Sequence, residues 1–269
     1  QTCALPISRR AVSSIRATHF GQAGYLGSVK SHASAGDRLM NYDCIVINGD
    51  SYSELKKEHQ VYSDFLAKHF GVPVYNYAWF GSNNQRISRS SIEYLLDLKK
   101  QYNNILFIAG WSFIRRLEVW YYGNNTQVDL CIPDRLTGDT KLVTLDILLR
   151  FNEETVEQKC LINEDLFIHK SLIDFYNNLY TFGHWLESQN INYFWFSAAR
   201  NTDCPIHCFP YIQSLKQVQW VEQNPKVYQL HNFCIMNWAK ENDPDSHPVT
   251  GHLSEQGHEK FSKIILENL

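Results

Sequence analysis

A chain of 269 residues with 44% hydrophobic and 20% charged residues and a formal net charge of −3 has the make-up of a folded globular protein, which excludes disordered and collagen-like classes. The length suits one large α/β domain. No apolar run approaches the roughly 18 residues that a membrane-spanning helix requires.

The first residues stand apart. Gln1–Ile7 reads QTCALPI, the translation of a common sequencing-adapter oligonucleotide, and no hydrophobic period is sustained up to Leu39. Residues 1–39 are therefore expected to be a non-native or disordered leader, with Met40 as the true start and 40–269 as a single domain. The segment lacks the continuous apolar stretch of a secretion signal, so a cytoplasmic location is expected. Without it, 20 Lys and Arg face 27 Asp and Glu, a net charge of −7, which makes a poor binder of phosphate backbones and does not suit nucleic acid as partner.

From Met40 onward, short β-rich runs alternate with helical patterns, the signature of βαβ units and a parallel sheet. Cys44–Asn48 is predicted as a buried strand. Tyr52–Phe70 is predicted as a helix, with Leu55, Tyr62, Phe65, Leu66 and Phe70 on one stripe and Gly71 as its stop. Val72–Tyr77 is the second strand, Ser91–Lys100 a helix and Ile105–Ala109 the third strand. Residues 121–163 are rich in turn formers (Gly123, Asn124, Asn125, Pro133, Asp134, Gly138) around strand-like pieces and are expected to be an insertion or lid. Glu164–Gln189 carries Leu166, Leu172, Phe175, Leu179, Phe182 and Leu186 on a long amphipathic helix. Asn192–Ser197 is a strand, and Ser254–Leu269 a final helix.

Polar residues directly after parallel strands open onto a common crevice, which makes four blocks candidates for chemistry. After the first strand comes Asn48-Gly49-Asp50-Ser51, where Ser51 at a helix N-terminus would have free N–H groups beside it to stabilise an oxyanion; on this block alone, simple helix capping explains the serine as well. After the second strand, Gly81 can offer a backbone N–H and Asn84 an amide. After the third come Gly110-Trp111-Ser112 and then Arg116 and Glu118, which share a strand face two residues apart and can pair as ions. The fourth block, Asp243 to His258, is dense in histidine and lies directly before the last helix.

In order and spacing these blocks resemble the SGNH (GDSL-like) hydrolase superfamily over nearly all of 40–269. The resemblance implies a flavodoxin-like three-layer α/β/α sandwich with a mainly parallel sheet. It also implies an ester hydrolase with Ser51 as nucleophile, Gly81 as an oxyanion donor and His252 as base, since His252 is followed six positions later by His258 at the start of the last helix. Two departures follow. The third block normally reads Gly-x-Asn-Asp, whereas Ser112 stands at the asparagine position, as in a divergent branch met in phage and environmental sequences, where Asn84 is the alternative donor. The aspartate usually two or three residues before the histidine is absent before His252; Asp245 stands before His247, so His247 is the rival base and Asp245 the orienting acid for either. Ser112, Arg116 and Glu118 complete the oxyanion and substrate-binding set.

The substrate is expected to be a small-molecule or glycan ester, on acylated carbohydrate or lipid; core and sheet packing is the first explanation of the many aromatic residues, with Trp79, Trp111 and Trp120 beside the crevice available to line a sugar cleft. An inactive module that keeps the fold, and an acyltransferase, are the alternatives. No cofactor is implied. Seven scattered cysteines argue for reduced thiols. Cys204-Pro205-Ile206-His207-Cys208 holds three possible zinc ligands where a structural site wants four, even counting His231 and Cys234 as distant additions, and no metal is expected.

Overall fold

The computed structural model describes residues 41–56, 59–114, 116–122, 132–133, 140–146, 164–198, 210–230, 233–247 and 252–269. The leader 1–39, the Cys204–Cys208 cluster and most of 121–163 lie outside them.

Three uninterrupted apolar runs make the centre of the sheet: β1 (Cys44–Gly49), β3 (Ile105–Trp111) and β7 (Asn192–Ser197). Runs without polar alternation must be covered on both faces, as in a parallel sheet. With β2 (Val74–Asn76) and β8 (Val227–Tyr228) at the edges, all five strands are parallel, in the order β2-β1-β3-β7-β8. Counted along this sheet alone, that is the 2-1-3-4-5 order of flavodoxin-like folds, whose chain reverses its winding between the first and third strands.

Alternate residues of each strand feed two cores. Val46, Phe107, Ala109 and Trp195 point into one, which is closed by α2 (Asn84–Leu98), α3 (Glu164–Ser188), the short α4 (Pro210–Gln213) and α5 (Lys216–Gln223). Ile45, Ile47, Leu106, Ile108, Phe194 and Phe196 point into the other, under α1 (Tyr62–Phe70), α6 (Ile235–Asn242) and α7 (Glu255–Glu267). The result is the three-layer α/β/α sandwich expected from the alternation of elements.

Several boundaries differ from the sequence reading. The helix expected over Tyr52–Phe70 occupies only Tyr62–Phe70, while residues 51–53 form a turn. Its start is set by Asp64, whose carboxylate accepts the Val61 N–H at 2.8 Å, and its end by Gly71 at φ 67°. By contrast α2 starts seven residues earlier than expected, capped by Asn83, whose side chain accepts the Arg86 N–H at 2.7 Å. The apolar period misses this first half because, beside Ile87, its buried positions include Ser88, Ser90 and Ser91, whose hydroxyls bond back to carbonyls of their own helix.

The strands β4 (Arg116–Tyr122), β5 (Ile132–Pro133) and β6 (Thr140–Asp146) form a separate antiparallel sheet in the order β4-β6-β5. It begins five residues before the stretch marked as an insertion. In its register Arg116 faces Asp146 and Glu118 faces Thr144. Among the described residues, no helix is long and apolar enough to cross a membrane.

Candidate active site

The chain reversal between β1 and β3 opens a crevice at their carboxyl ends, and the loops after these two strands meet there. Gly49 and Gly110 stand side by side in the register. A Cβ on Gly110 would lie 2.6 Å from Ser53 Oγ and 2.9 Å from Phe196 Cζ, so the absence of a side chain lets the Ser51 turn settle onto the end of β3.

Ser51 lies in a tight turn closed by the N–H groups of Ser53 and Glu54, which both donate to the Asp50 carbonyl, at 3.0 and 3.1 Å. This corrects the expectation that Ser51 opens a helix: the next helix begins at Tyr62, so a helix macrodipole does not act on the hydroxyl. The hydroxyl itself lies 2.9 Å from His252 Nε2, across 201 residues of sequence. The imidazole stacks on the Tyr52 ring, with centroids 4.5 Å apart and planes 15° apart. Burial, then Lys56 and His247, push the His252 pKa below its ordinary 6.5, against the opposing pull of Asp50 and Glu54. A neutral ring at pH 7 is the form able to take a proton.

His247 is exposed, and its backbone N–H donates to the His252 carbonyl at 2.9 Å, which closes the loop that presents His252. Asp245 is exposed as well. The buried acid of this segment is Asp243: its carboxylate accepts the Ser254 N–H and hydroxyl, each at 2.7 Å, while Ser254 Oγ accepts the Gly257 N–H at 3.1 Å and so caps α7. A Cβ on Gly257 would stand 2.0 Å from Asp243 Oδ2. Sequence reasoning passed over Asp243 in favour of Asp245 two residues on; the available signal was Ser254-x-x-Gly257, a cap followed by a residue with room for a buried partner.

Asp50 is fully buried beside Ser51. Its Oδ1 accepts the Tyr52 N–H at 3.1 Å and its Oδ2 accepts the Ser112 hydroxyl at 2.7 Å. Arg116 Nη1 donates to Ser112 Oγ at 2.8 Å and lies 3.4 Å from Asp50 Oδ2. The Asp50 pKa is raised overall: burial outweighs Arg116, the Ser112 and Tyr52 bonds and His252, each of which pulls it back down. Because Ser112 gives its proton to Asp50, its hydroxyl is not a donor toward the crevice.

Asn84 holds the other side of Ser112. Its Oδ1 accepts the Ser112 N–H at 2.8 Å, and its Nδ2 donates to the carbonyls of Ser112 at 3.1 Å and Phe113 at 3.4 Å. The amide considered as an oxyanion donor is thus directed into the loop after β3, where it fastens α2 to that loop. Gly81 lies at φ 73° in the loop before α2, which the Trp79 N–H ties to the Gly49 carbonyl at 3.1 Å. Trp79 is partly exposed and Phe80 is 60% exposed beside it, whereas Trp111 is fully buried in the core and faces no cleft. Glu118 and Trp120 are placed here only by their positions in β4. Among the described residues no group of three or more His, Cys, Asp or Glu is placed to hold a metal ion.

No protein-family model and no curated protein sequence matches the chain. Among solved structures, it is similar to a lipolytic protein of the G-D-S-L family from Desulfitobacterium hafniense DCB-2, at 10% identity and a TM-score of 0.43 over 84% of this chain and 99% of that one. The acetyl xylan esterase AlAXEase gives 12% identity and a TM-score of 0.45 over 84% and 99% of the two chains. A lipase/acylhydrolase from Enterococcus faecalis gives 14% identity and a TM-score of 0.42 over 83% and 93%.

Proposed function

We propose that this chain is a serine hydrolase of the SGNH type that cleaves an ester through an acyl-Ser51 intermediate. The observation that carries the reading is the 2.9 Å contact between Ser51 Oγ and His252 Nε2 at the carboxyl end of a parallel sheet, with the imidazole shifted toward its neutral form. His252 takes the Ser51 proton as Oγ attacks the ester carbonyl. The tetrahedral intermediate collapses as the same proton passes from His252 to the leaving alkoxide, which departs as alcohol. Water, deprotonated by His252, then attacks the acyl carbon and returns Ser51 to its hydroxyl form.

The backbone N–H groups of Ser51 and Gly81 are the proposed oxyanion donors; one such donor is typically worth about 3–4 kcal/mol. Ser112 and Asn84 take no part in that set, since their hydrogen atoms serve Asp50 and the loop after β3. The imidazole is oriented by stacking on Tyr52 and by the Asp243-anchored start of α7, with Asp245 in the solvent-facing part of the loop. A small-molecule or glycan ester is the proposed substrate class.

The test is hydrolysis of p-nitrophenyl acetate by the wild type and by Ser51→Ala, His252→Ala and His247→Ala. Loss of turnover in the first two, with His247→Ala within about threefold of wild type, is the expected pattern; triad-type pairs lose several orders of magnitude when either member is removed. A Ser51→Ala protein that turns over ester at the wild-type rate overturns the reading.

A further inference from the structure

One guanidinium reaches three of the loops that meet at Ser51. Besides Ser112 Oγ and Asp50 Oδ2, Arg116 Nη1 lies 3.4 Å from the Ser82 carbonyl, directly after Gly81. Its face rests over the Phe113 ring, with Cζ 4.7 Å from the centroid, which fixes the plane of the fork. Arg116 is also the first residue of β4, so the antiparallel sheet enters the fold through this contact.

Hydrogen-bond direction follows from the chemistry. A guanidinium only donates, so Ser112 Oγ accepts from Arg116, and its own proton is directed at Asp50 Oδ2; with the Tyr52 N–H on Oδ1, Asp50 accepts on both oxygens, the pattern of a carboxylate. In that state Asp50 Oδ1 holds the Tyr52 N–H, and Tyr52 carries the His252 ring on its face. A buried carboxylate without its cation would shed its charge, and a protonated Asp50 can no longer accept at both ends.

We propose that Arg116 is a positioning residue that keeps Asp50 as a charged anchor for the Ser51 turn and thereby couples the antiparallel sheet to the reacting centre. The inference rests on the reading of Ser51 as nucleophile. Arg116 acts through Asp50 and Ser112, and substrate need not touch it.

The groups that bear on the pH response are Arg116, Ser112, Tyr52 and His252 around Asp50, and Lys56, Glu54, Asp50 and His247 around His252. Without Arg116, either Asp50 takes up its proton at higher pH, so that loss of the charged anchor itself sets the acidic limb, or it remains charged and raises the proton affinity of His252. Both routes move the acidic limb of the rate profile upward in pH.

The experiment measures kcat, KM and the pH profile on p-nitrophenyl acetate for Arg116→Gln, Arg116→Lys and the double variant Asp50→Asn/Arg116→Gln, with circular dichroism as the check on folding. Arg116→Gln is expected to lose about 10²-fold in kcat with KM within about twofold, and its acidic limb is expected to move up. Arg116→Lys, which keeps the charge, should hold the limb in place and exceed Arg116→Gln in kcat by tenfold or more. The double variant, with neither charge of the pair, should fold even if Arg116→Gln does not, with its limb at or below the wild-type position, since the upward pull of Asp50 on His252 is gone as well. A folded Arg116→Gln with an unshifted limb, an Arg116→Lys no better than it, or a double variant whose limb stays displaced upward overturns the inference. Wild-type turnover with an unshifted limb removes only this role of Arg116; a wild type without turnover removes the hydrolase reading and the inference with it.

Discussion

Replacing Asp243 with alanine should loosen the start of α7 and, with it, the loop that presents His252. The carboxylate is buried and accepts two hydrogen bonds from Ser254, each at 2.7 Å. A hydrogen bond to a charged acceptor contributes roughly 1.5–3 kcal/mol net, so loss of both, with Ser254 Oγ still capping the Gly257 N–H, costs about 3–5 kcal/mol. In a domain of this size each kcal/mol lowers Tm by roughly 2–4 °C, which places the variant about 6–20 °C below wild type. Differential scanning calorimetry is the assay, with Asp245→Ala as the control expected within about 0.5 kcal/mol, since Asp245 is exposed. At 25 °C, where the variant remains folded, kcat should fall by about tenfold or more because His252 lies two residues before Ser254. A Tm within about 3 °C of wild type, or a larger loss in Asp245→Ala, refutes the assignment of Asp243 as the anchor.

Three other outcomes follow from the same contacts. Burial pushes the His252 pKa below 6.5, so kcat/KM should fall as the ring protonates, with an acidic midpoint under 6.5 in the pH–rate profile. His258 is buried in α7 beside His59 and Tyr62, and burial, with the charge of His59, pushes its pKa down to about 3. Its neutral form is the folded one, so its contribution to stability is complete above pH 6.5 and is lost as pH falls toward 3, by up to about 5 kcal/mol; urea titrations of His258→Phe from pH 7 to 4 should show a flatter dependence than wild type. Phe80 is exposed beside Gly81, and Phe80→Ser should raise KM for p-nitrophenyl butyrate by several-fold more than for the acetate, as steady-state kinetics will show.

The centre of the sheet was legible because β1, β3 and β7 are bounded apolar runs of strand length, and Glu164–Ser188 because its period is sustained over many turns. What escaped are elements whose stability comes from elsewhere. β8 has only two residues and gains its place by pairing with Trp195 and Phe196, and α5 and α6 are eight-residue helices held by tertiary burial of Val218, Val221, Ile235 and Ala239. The early start of α2 was hidden because serines face inward there, satisfied by carbonyls that only a folded helix offers.

The site divides in the same way. Ser51, Gly81 and His252 stand out locally, each just past a strand or just before a helix. The reach of Arg116 to Asp50, the stacking of Tyr52 on His252 and the commitment of Asn84 to Ser112 are contacts across 28 to 200 residues of sequence, and no local spacing encodes them. Asp243 and Asp245 are indistinguishable by type, and only the position of Ser254 in space separates the buried one from the exposed one.

The central claim is that Ser51 Oγ is a nucleophile activated by His252. Its most direct measurement is intact-protein and peptide mass spectrometry after exposure to a fluorophosphonate, comparing wild type with Ser51→Ala and His252→Ala at matched folding. A single phosphonyl adduct on the Ser51 peptide, absent in Ser51→Ala and formed at least about 10²-fold more slowly in His252→Ala, is the predicted result. A folded wild type that takes up no adduct, or one whose adduct sits on another residue, contradicts it.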